Sequence, residues 1–98
     1  MEVMTVVEGK VPGSRILEFE EAYSFVRDQP KPQGWKRSML LRDTKEEGLY
    51  RISTLWENRQ ALEEMRKGPG VPVAIALYRK VGVEPNLRIF EIPVTIER

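Results

Sequence analysis

The chain contains no cysteine and no histidine. Without cysteine there is no disulfide, no thiolate nucleophile and no cysteine-bound zinc or iron–sulfur centre. Without histidine there is no imidazole metal ligand, no proximal haem histidine and no histidine-centred triad. Acid–base chemistry is left to carboxylates, tyrosine and lysine, and no spacing of carboxylates marks an oxygen-only metal site. An excess of charge of one sign is also missing. Sixteen basic residues against fifteen acidic ones give a net charge of +1, which does not supply the basic surface that releases counterions from nucleic acid. No apolar run approaches the roughly 20 residues of a membrane span. The start, Met1-Glu2-Val3-Met4-Thr5, is acidic and strand-like, unlike a secretory signal. A cytoplasmic setting is expected.

What remains is a chain of 98 residues, 41% hydrophobic and 32% charged. Residues 1–98 are expected to form one domain, at the small end of what buries its own core. Val3–Val7 is a short β-rich run closed by Gly9 and Pro12-Gly13. Ser14 is placed to cap a helix in which Ile16, Phe19, Ala22, Tyr23 and Val26 recur at helical spacing. Asp28–Gly34, with its two prolines, stops that helix. Trp35–Asp43 is a second strand, with Trp35, Met39 and Leu41 on one parity and Ser38, Leu40 and Arg42 on the other. Thr44–Gly48 turns it into a third.

At Trp56-Glu57-Asn58 the pattern changes period. Tyr50, Ile52, Thr54 and Trp56 share one face of the third strand, since side chains alternate across a strand. Asn58 is an N-cap residue for a following helix that carries Ala61, Leu62 and Met65 on one side. Gly68-Pro69-Gly70 breaks this helix near Lys67. A shorter one begins near Pro72, with Val73, Ala74, Leu77 and Val81 as its stripe and Ile75, Ala76 and Tyr78 widening it. Gly82 ends it. The last strand is read over Leu87–Glu97, with Phe90, Ile92, Val94 and Ile96 on one face, and Pro93 confines it to a sheet edge or a bulge. The order β-α-β-β-α-(short α)-β predicts an α+β, ferredoxin-like, four-stranded antiparallel sheet with helices on one face.

Several strands are apolar on both parities. Val3 and Val7 oppose Met4 and Val6, Met39 and Leu41 oppose Leu40, and Leu49 and Leu55 oppose Ile52 and Trp56. Helices cover only one side of such a sheet. The other side is expected to meet a second copy of the same sheet about a two-fold axis, giving a homodimer through the sheet face.

The segments Phe19-Glu20-Glu21-Ala22-Tyr23, Gly34-Trp35, Leu40-Leu41-Arg42-Asp43, Tyr50-Arg51-Ile52 and Trp56–Glu63 occur in that order over about two-thirds of the chain. Together they resemble the antibiotic biosynthesis monooxygenase (ABM) family of the dimeric α+β barrel superfamily. The last third departs from it, since Gly68-Pro69-Gly70 and Pro72 stand where the family has a longer helix. The resemblance implies a homodimeric barrel with a pocket in each subunit between sheet and helices. It also implies one of several activities: metal-free and flavin-free oxygenation of quinol-type aromatics, haem degradation, or none assigned. Haem-degrading members use an Asn on the first strand, a Trp on the third and a His on the second helix. Only Trp56 has a counterpart here, so haem degradation by that route is not expected, and no cofactor or metal is.

The candidate pocket is Phe19, Tyr23, Tyr50, Ile52, Thr54, Trp56 and Met65, and no catalytic residue stands out. Trp56 is suited to stack on a flat ligand, but a core indole with one hydrogen-bond partner is the preferred reading. Tyr23, Tyr50 and Tyr78 are suited to orient a phenol, although amphipathic packing is commoner. Arg37, Arg42 and Arg51 are suited to an anionic ligand, with an ion pair to Asp43 or Glu57 as the plainer account. Asp43 itself reads as a turn residue. Two functions follow. One is cofactor-independent oxygenation of a small aromatic or quinol-like compound. The other is a non-catalytic homodimer that binds a small apolar ligand or a partner. An open space between helices and sheet with an inward Tyr, Asp or Arg favours the first; a space filled by Phe19, Tyr23, Trp56 and Met65 removes it.

Overall fold

The period-two runs form four strands in the computed structural model, which describes residues 1–98. These are β1 (Val3–Lys10), β2 (Trp35–Arg42), β3 (Leu49–Trp56) and β4 (Asn86–Glu91). They make one antiparallel sheet of order β2-β3-β1-β4. The helices α1 (Ile16–Ser24), α2 (Arg59–Lys67) and α3 (Val73–Lys80) connect them. This is the ferredoxin-like α+β architecture expected from the sequence. Val3, Val7, Tyr50, Ile52 and Trp56 are buried on the helix side of the sheet. Met4, Val6, Met39, Leu41, Leu49 and Leu55 alternate with them toward the face that no helix covers, where Met39, Leu41 and Phe90 are exposed.

Local chemistry sets the joints. The Asn58 side chain accepts from the Ala61 amide at 2.8 Å and starts α2, satisfying one of the orphan donors of the first turn. Pro72 precedes α3, and Gly82 ends it at φ +80°. Gly34 sits at φ +85°, and a Cβ there would stand 2.3 Å from that of Ala61. Its carbonyl accepts from the Glu57 amide at 2.7 Å, so this glycine lets the start of β2 lie against the β3–α2 junction.

Five expectations need correction. Ser14 does not cap α1: a short 3-10 turn, Gly13–Arg15, intervenes, and no side chain caps the helix. Trp35 does not share the parity of Met39 and Leu41, because the register shifts between Trp35 and Arg37. That extra residue turns the indole to the helix side, opposite Trp56. On α3, Val73 is exposed and Tyr78 is fully buried, so the inward stripe is Ala74, Leu77, Tyr78 and Val81. β4 stops at Glu91 rather than Glu97. Its register pairs Glu91 with Val3, where β1 begins, and the Ile92 amide makes a last bond to the Glu2 carbonyl. Val94 and Ile96 are therefore exposed beyond the ladder. Gly9, expected to close β1, lies within it; a Cβ there would meet the Tyr78 ring at 2.8 Å.

One end of the helix layer is densely filled. Phe19 packs edge-on against Tyr50, with centroids 5.4 Å apart, and tilted against Tyr78 at 4.8 Å. The Tyr78 hydroxyl lies 2.9 Å from the carbonyls of Val7 on β1 and Tyr50 on β3, donating toward both. The Tyr50 hydroxyl donates to Glu20. Burial raises the pKa of Tyr78 above the ordinary phenol value, and burial followed by the Glu20 carboxylate raises that of Tyr50. Both phenols are harder to ionise folded than unfolded. Their contribution is complete below the unfolded value of 10.0 and is lost as the pH rises through the folded ones. Stability measured by urea unfolding is thus expected to fall above about pH 10. Tyr78→Phe is expected to cost about 1–3 kcal/mol at neutral pH and to make that alkaline fall shallower.

Candidate functional site

The rest of the helix layer is not filled. Buried apolar residues form two separate clusters. One comprises Val7, Val11, Phe19, Tyr50, Ile52, Tyr78 and Val81; the other is Val3, Trp56 and Leu62, with Trp35, Ala61, Met65 and Ile89 packed on it. Between them lies a cavity of about 330 Å³, at the low end of the roughly 300–1,000 Å³ usual for ligand pockets.

Three strands build its floor. Thr5 on β1 pairs with Thr54 on β3, and Thr54 pairs with Ser38 on β2. Registered pairing places three hydroxyls in a row on the helix side of the sheet, and all three residues line the cavity. Their bonds are ordered. Ser38 Oγ accepts from the Tyr23 hydroxyl at 2.7 Å and from Thr54 Oγ1 at 3.3 Å. With both lone pairs engaged, the Ser38 proton is free to donate into the cavity. Thr5 Oγ1 accepts from the Trp56 indole N–H at 3.2 Å. No buried side-chain nitrogen or oxygen lacks a partner.

The walls are apolar. Trp35 and Trp56 stand on neighbouring strands, Leu62 and Met65 come from α2, and Ala74, Ile75 and Leu77 come from α3. The loop Gln29–Pro32 and Arg66 complete the mouth. Lys31 is held there, donating to the carbonyls of Gln29 at 2.6 Å and Arg27 at 3.0 Å. Its ammonium lies 5.4 Å from the Trp35 ring centre, a cation–π arrangement.

Of the seven expected pocket residues, Tyr23, Ile52, Thr54, Trp56 and Met65 line this cavity. Phe19 and Tyr50 do not; they belong to the filled cluster, at 0% and 1% exposure. The space is open rather than filled, and Tyr23 is its inward tyrosine. The Trp56 N–H has one partner, Thr5, and its ring forms part of the wall. Sequence reasoning missed Thr5, Ser38, Trp35 and Lys31. The hydroxyls lay on the helix-facing parity and were readable as interruptions of an apolar face; Trp35 was hidden by the bulge.

None of Arg37, Arg42 and Arg51 lines the cavity. Arg51 pairs with Glu8 at 2.6 Å and Asp43 at 3.5 Å on the uncovered face of the sheet. Arg42 reaches Glu20 at 3.4 Å. Asp43 turns the chain, accepting from the amides of Lys45 and Glu46, and these bonds hold its pKa below the ordinary carboxylate value.

No family model and no curated protein matches the chain. Solved structures do match its fold. A protein from Deinococcus radiodurans described as an antibiotic biosynthesis monooxygenase superposes with a TM-score of 0.78 at 16% identity, covering 98% of this chain and 97% of that one. SnoaB, a cofactor-independent oxygenase from Streptomyces nogalater, gives 0.71 at 27% identity, with 99% and 98% covered. MhuD, a haem degrader from Mycobacterium tuberculosis, gives 0.75 at 25% identity, with 97% and 99% covered. The fold is that of the antibiotic biosynthesis monooxygenase-like proteins, as the sequence resemblance implied.

The cavity does not fit a haem held by an axial side chain. Neither an imidazole nor a thiolate lines it, and its one phenol, Tyr23, is engaged with Ser38.

The Tyr23–Ser38 bond ties α1 to β2 across the cavity. Tyr23→Phe and Ser38→Ala are each expected to cost about 0.5–1.5 kcal/mol in urea unfolding. The double variant is expected to lose less than the sum; strict additivity would show that the bond contributes nothing.

Proposed function

We propose that this cavity binds a small aromatic or quinol-like compound and that the chain oxygenates it without metal or flavin. The observation that carries the reading is the pairing of an indole-walled cavity with a floor of hydroxyls on which Ser38 keeps an uncommitted donor. In such a reaction the ionised substrate passes an electron to dioxygen. The protein supplies a dry cavity and a hydrogen bond to the oxygen on which negative charge is held. Ser38, fixed from two sides, is placed for that bond. The likeness to a cofactor-independent oxygenase at 27% identity supports the same reading.

A second reading has its own observation. No Asp, Glu or His lines the cavity, so no carboxylate or imidazole stands ready as a base. Under it the chain is a non-catalytic homodimer that binds the same kind of ligand. The substrate of the first reading must then ionise in water or through Tyr23. Oxygen uptake against a panel of dihydroxyaromatics separates the two. Turnover that falls about tenfold or more in Ser38→Ala, in protein that stays fully folded under the assay conditions, is expected for the oxygenase. Ligand binding without oxygen uptake by the native chain selects the second reading.

Both readings include the homodimer through the uncovered sheet face, and both keep the cytoplasmic setting and the single domain over residues 1–98 expected from the sequence. Exposed Met39, Leu41 and Phe90 on that face support the dimer. Light scattering is expected to give twice the 11.4 kDa chain mass for the native protein and the chain mass for Leu41→Lys. A native monomer at micromolar concentration would overturn the dimer.

A further inference from the structure

The charge at the mouth of the cavity narrows the ligand beyond an aromatic ring. Of the residues that line the cavity, Lys31 and Arg66 are the charged ones, and both are cationic. A near-neutral chain with fifteen acidic residues has thus kept every one of them off this surface. Neither cation is cancelled by its surroundings. Lys31 is anchored by two backbone carbonyls, which are neutral, and by the face of Trp35; it has no carboxylate partner. Arg66 approaches Glu63 at 3.5 Å, but Glu63 is bonded more closely by Arg59 at 3.0 Å. One carboxylate between two guanidiniums leaves that trio with a positive charge.

Position matters as much as charge. The Lys31 ammonium lies over a ring that is itself a wall of the cavity, so an aromatic ligand against Trp35 brings its edge toward this cation. Two of the three ammonium N–H groups are committed to carbonyls, and the side chain is already ordered before a ligand arrives. Binding an anion there therefore costs little further conformational entropy. Arg66 lines the same cavity from α2, and its planar fork suits a carboxylate.

We infer that the ligand is an aromatic or quinol acid, its ring between the tryptophans and its carboxylate at Lys31 and Arg66. This inference rests on the proposed use of the cavity and adds the acidic group. It also orients the ligand, because an anchored carboxylate at the mouth directs the opposite edge of the ring to the hydroxyl floor at Ser38.

The chain has two tryptophans, Trp35 and Trp56, and both line the cavity, so intrinsic fluorescence reads occupancy directly. Dihydroxynaphthoate and its uncharged methyl ester serve as the probes, titrated into the native protein at low and at high salt. The acid is expected to bind about tenfold more tightly than the ester at low salt, and the preference is expected to shrink as salt rises. Arg66→Gln and Lys31→Met are each expected to reduce the preference while leaving ester affinity unchanged. Arg66 is exposed on a helix, so its variant keeps the inference testable if the loop at Lys31 does not tolerate change. Equal affinity for acid and ester overturns the inference and leaves the aromatic cavity standing. Failure of both probes to alter the fluorescence overturns the cavity reading, and the inference with it.

Discussion

The hydroxyl of Tyr78 reaches between the two central strands to the carbonyls of Val7 and Tyr50, and much of the molecule is arranged around that contact. It requires a glycine at position 9, because any side chain there would collide with the ring. It draws the C-terminal half of α3 onto the sheet, where Phe19 and Tyr50 close around it. Ala74, Ile75 and Leu77 of the same helix pack on this cluster and also wall the cavity. The cavity lies between this apolar cluster and the second one, Val3, Trp56 and Leu62.

The space stays open because of what lies beneath it. Thr5, Thr54 and Ser38 form a polar row in the middle of an apolar face. Packing leucine or phenylalanine onto hydroxyls would cost their remaining hydrogen-bonding capacity, whereas a ligand with its own oxygen atoms restores it. Trp56 and Tyr23 secure the row from above by donating into it. The cavity is apolar at the walls, polar on the floor and cationic at the mouth. Each layer comes from different elements: α2, α3 and the indoles for the walls, β1 to β3 for the floor, and the Gln29–Pro32 loop with Arg66 for the mouth.

Much of this fold was legible from local signals. Asn58 caps α2, Pro72 precedes α3, and the period change after Trp56 marks a strand joined to a helix. These are interactions within a few residues, so the sequence carries them directly. The errors share a cause as well. Trp35 was assigned the wrong face because a single extra residue between it and Arg37 reverses a period of two. Phe19 on α1 and Tyr50 on β3 were placed at the pocket because both point between helices and sheet, yet that does not separate the filled end of this layer from its open end. Ser38 and Thr5 were passed over because a short polar residue on a buried face has no meaning until its partners across the sheet are known.

By itself, the sequence determined the order of elements, the ferredoxin-like α+β class, and the exclusion of thiol and imidazole chemistry. Each of these depends on residue identity and on spacing along the chain. The tertiary structure alone decided that the core is divided, that Ser38, Thr54 and Thr5 lie in one row, and that Lys31 stands over Trp35. Those facts depend on strand register, on one bulge and on where a helix is pinned. They join residues up to 71 positions apart, as in the bond from Tyr78 to Val7, and a separation of that kind leaves no periodic mark in the chain.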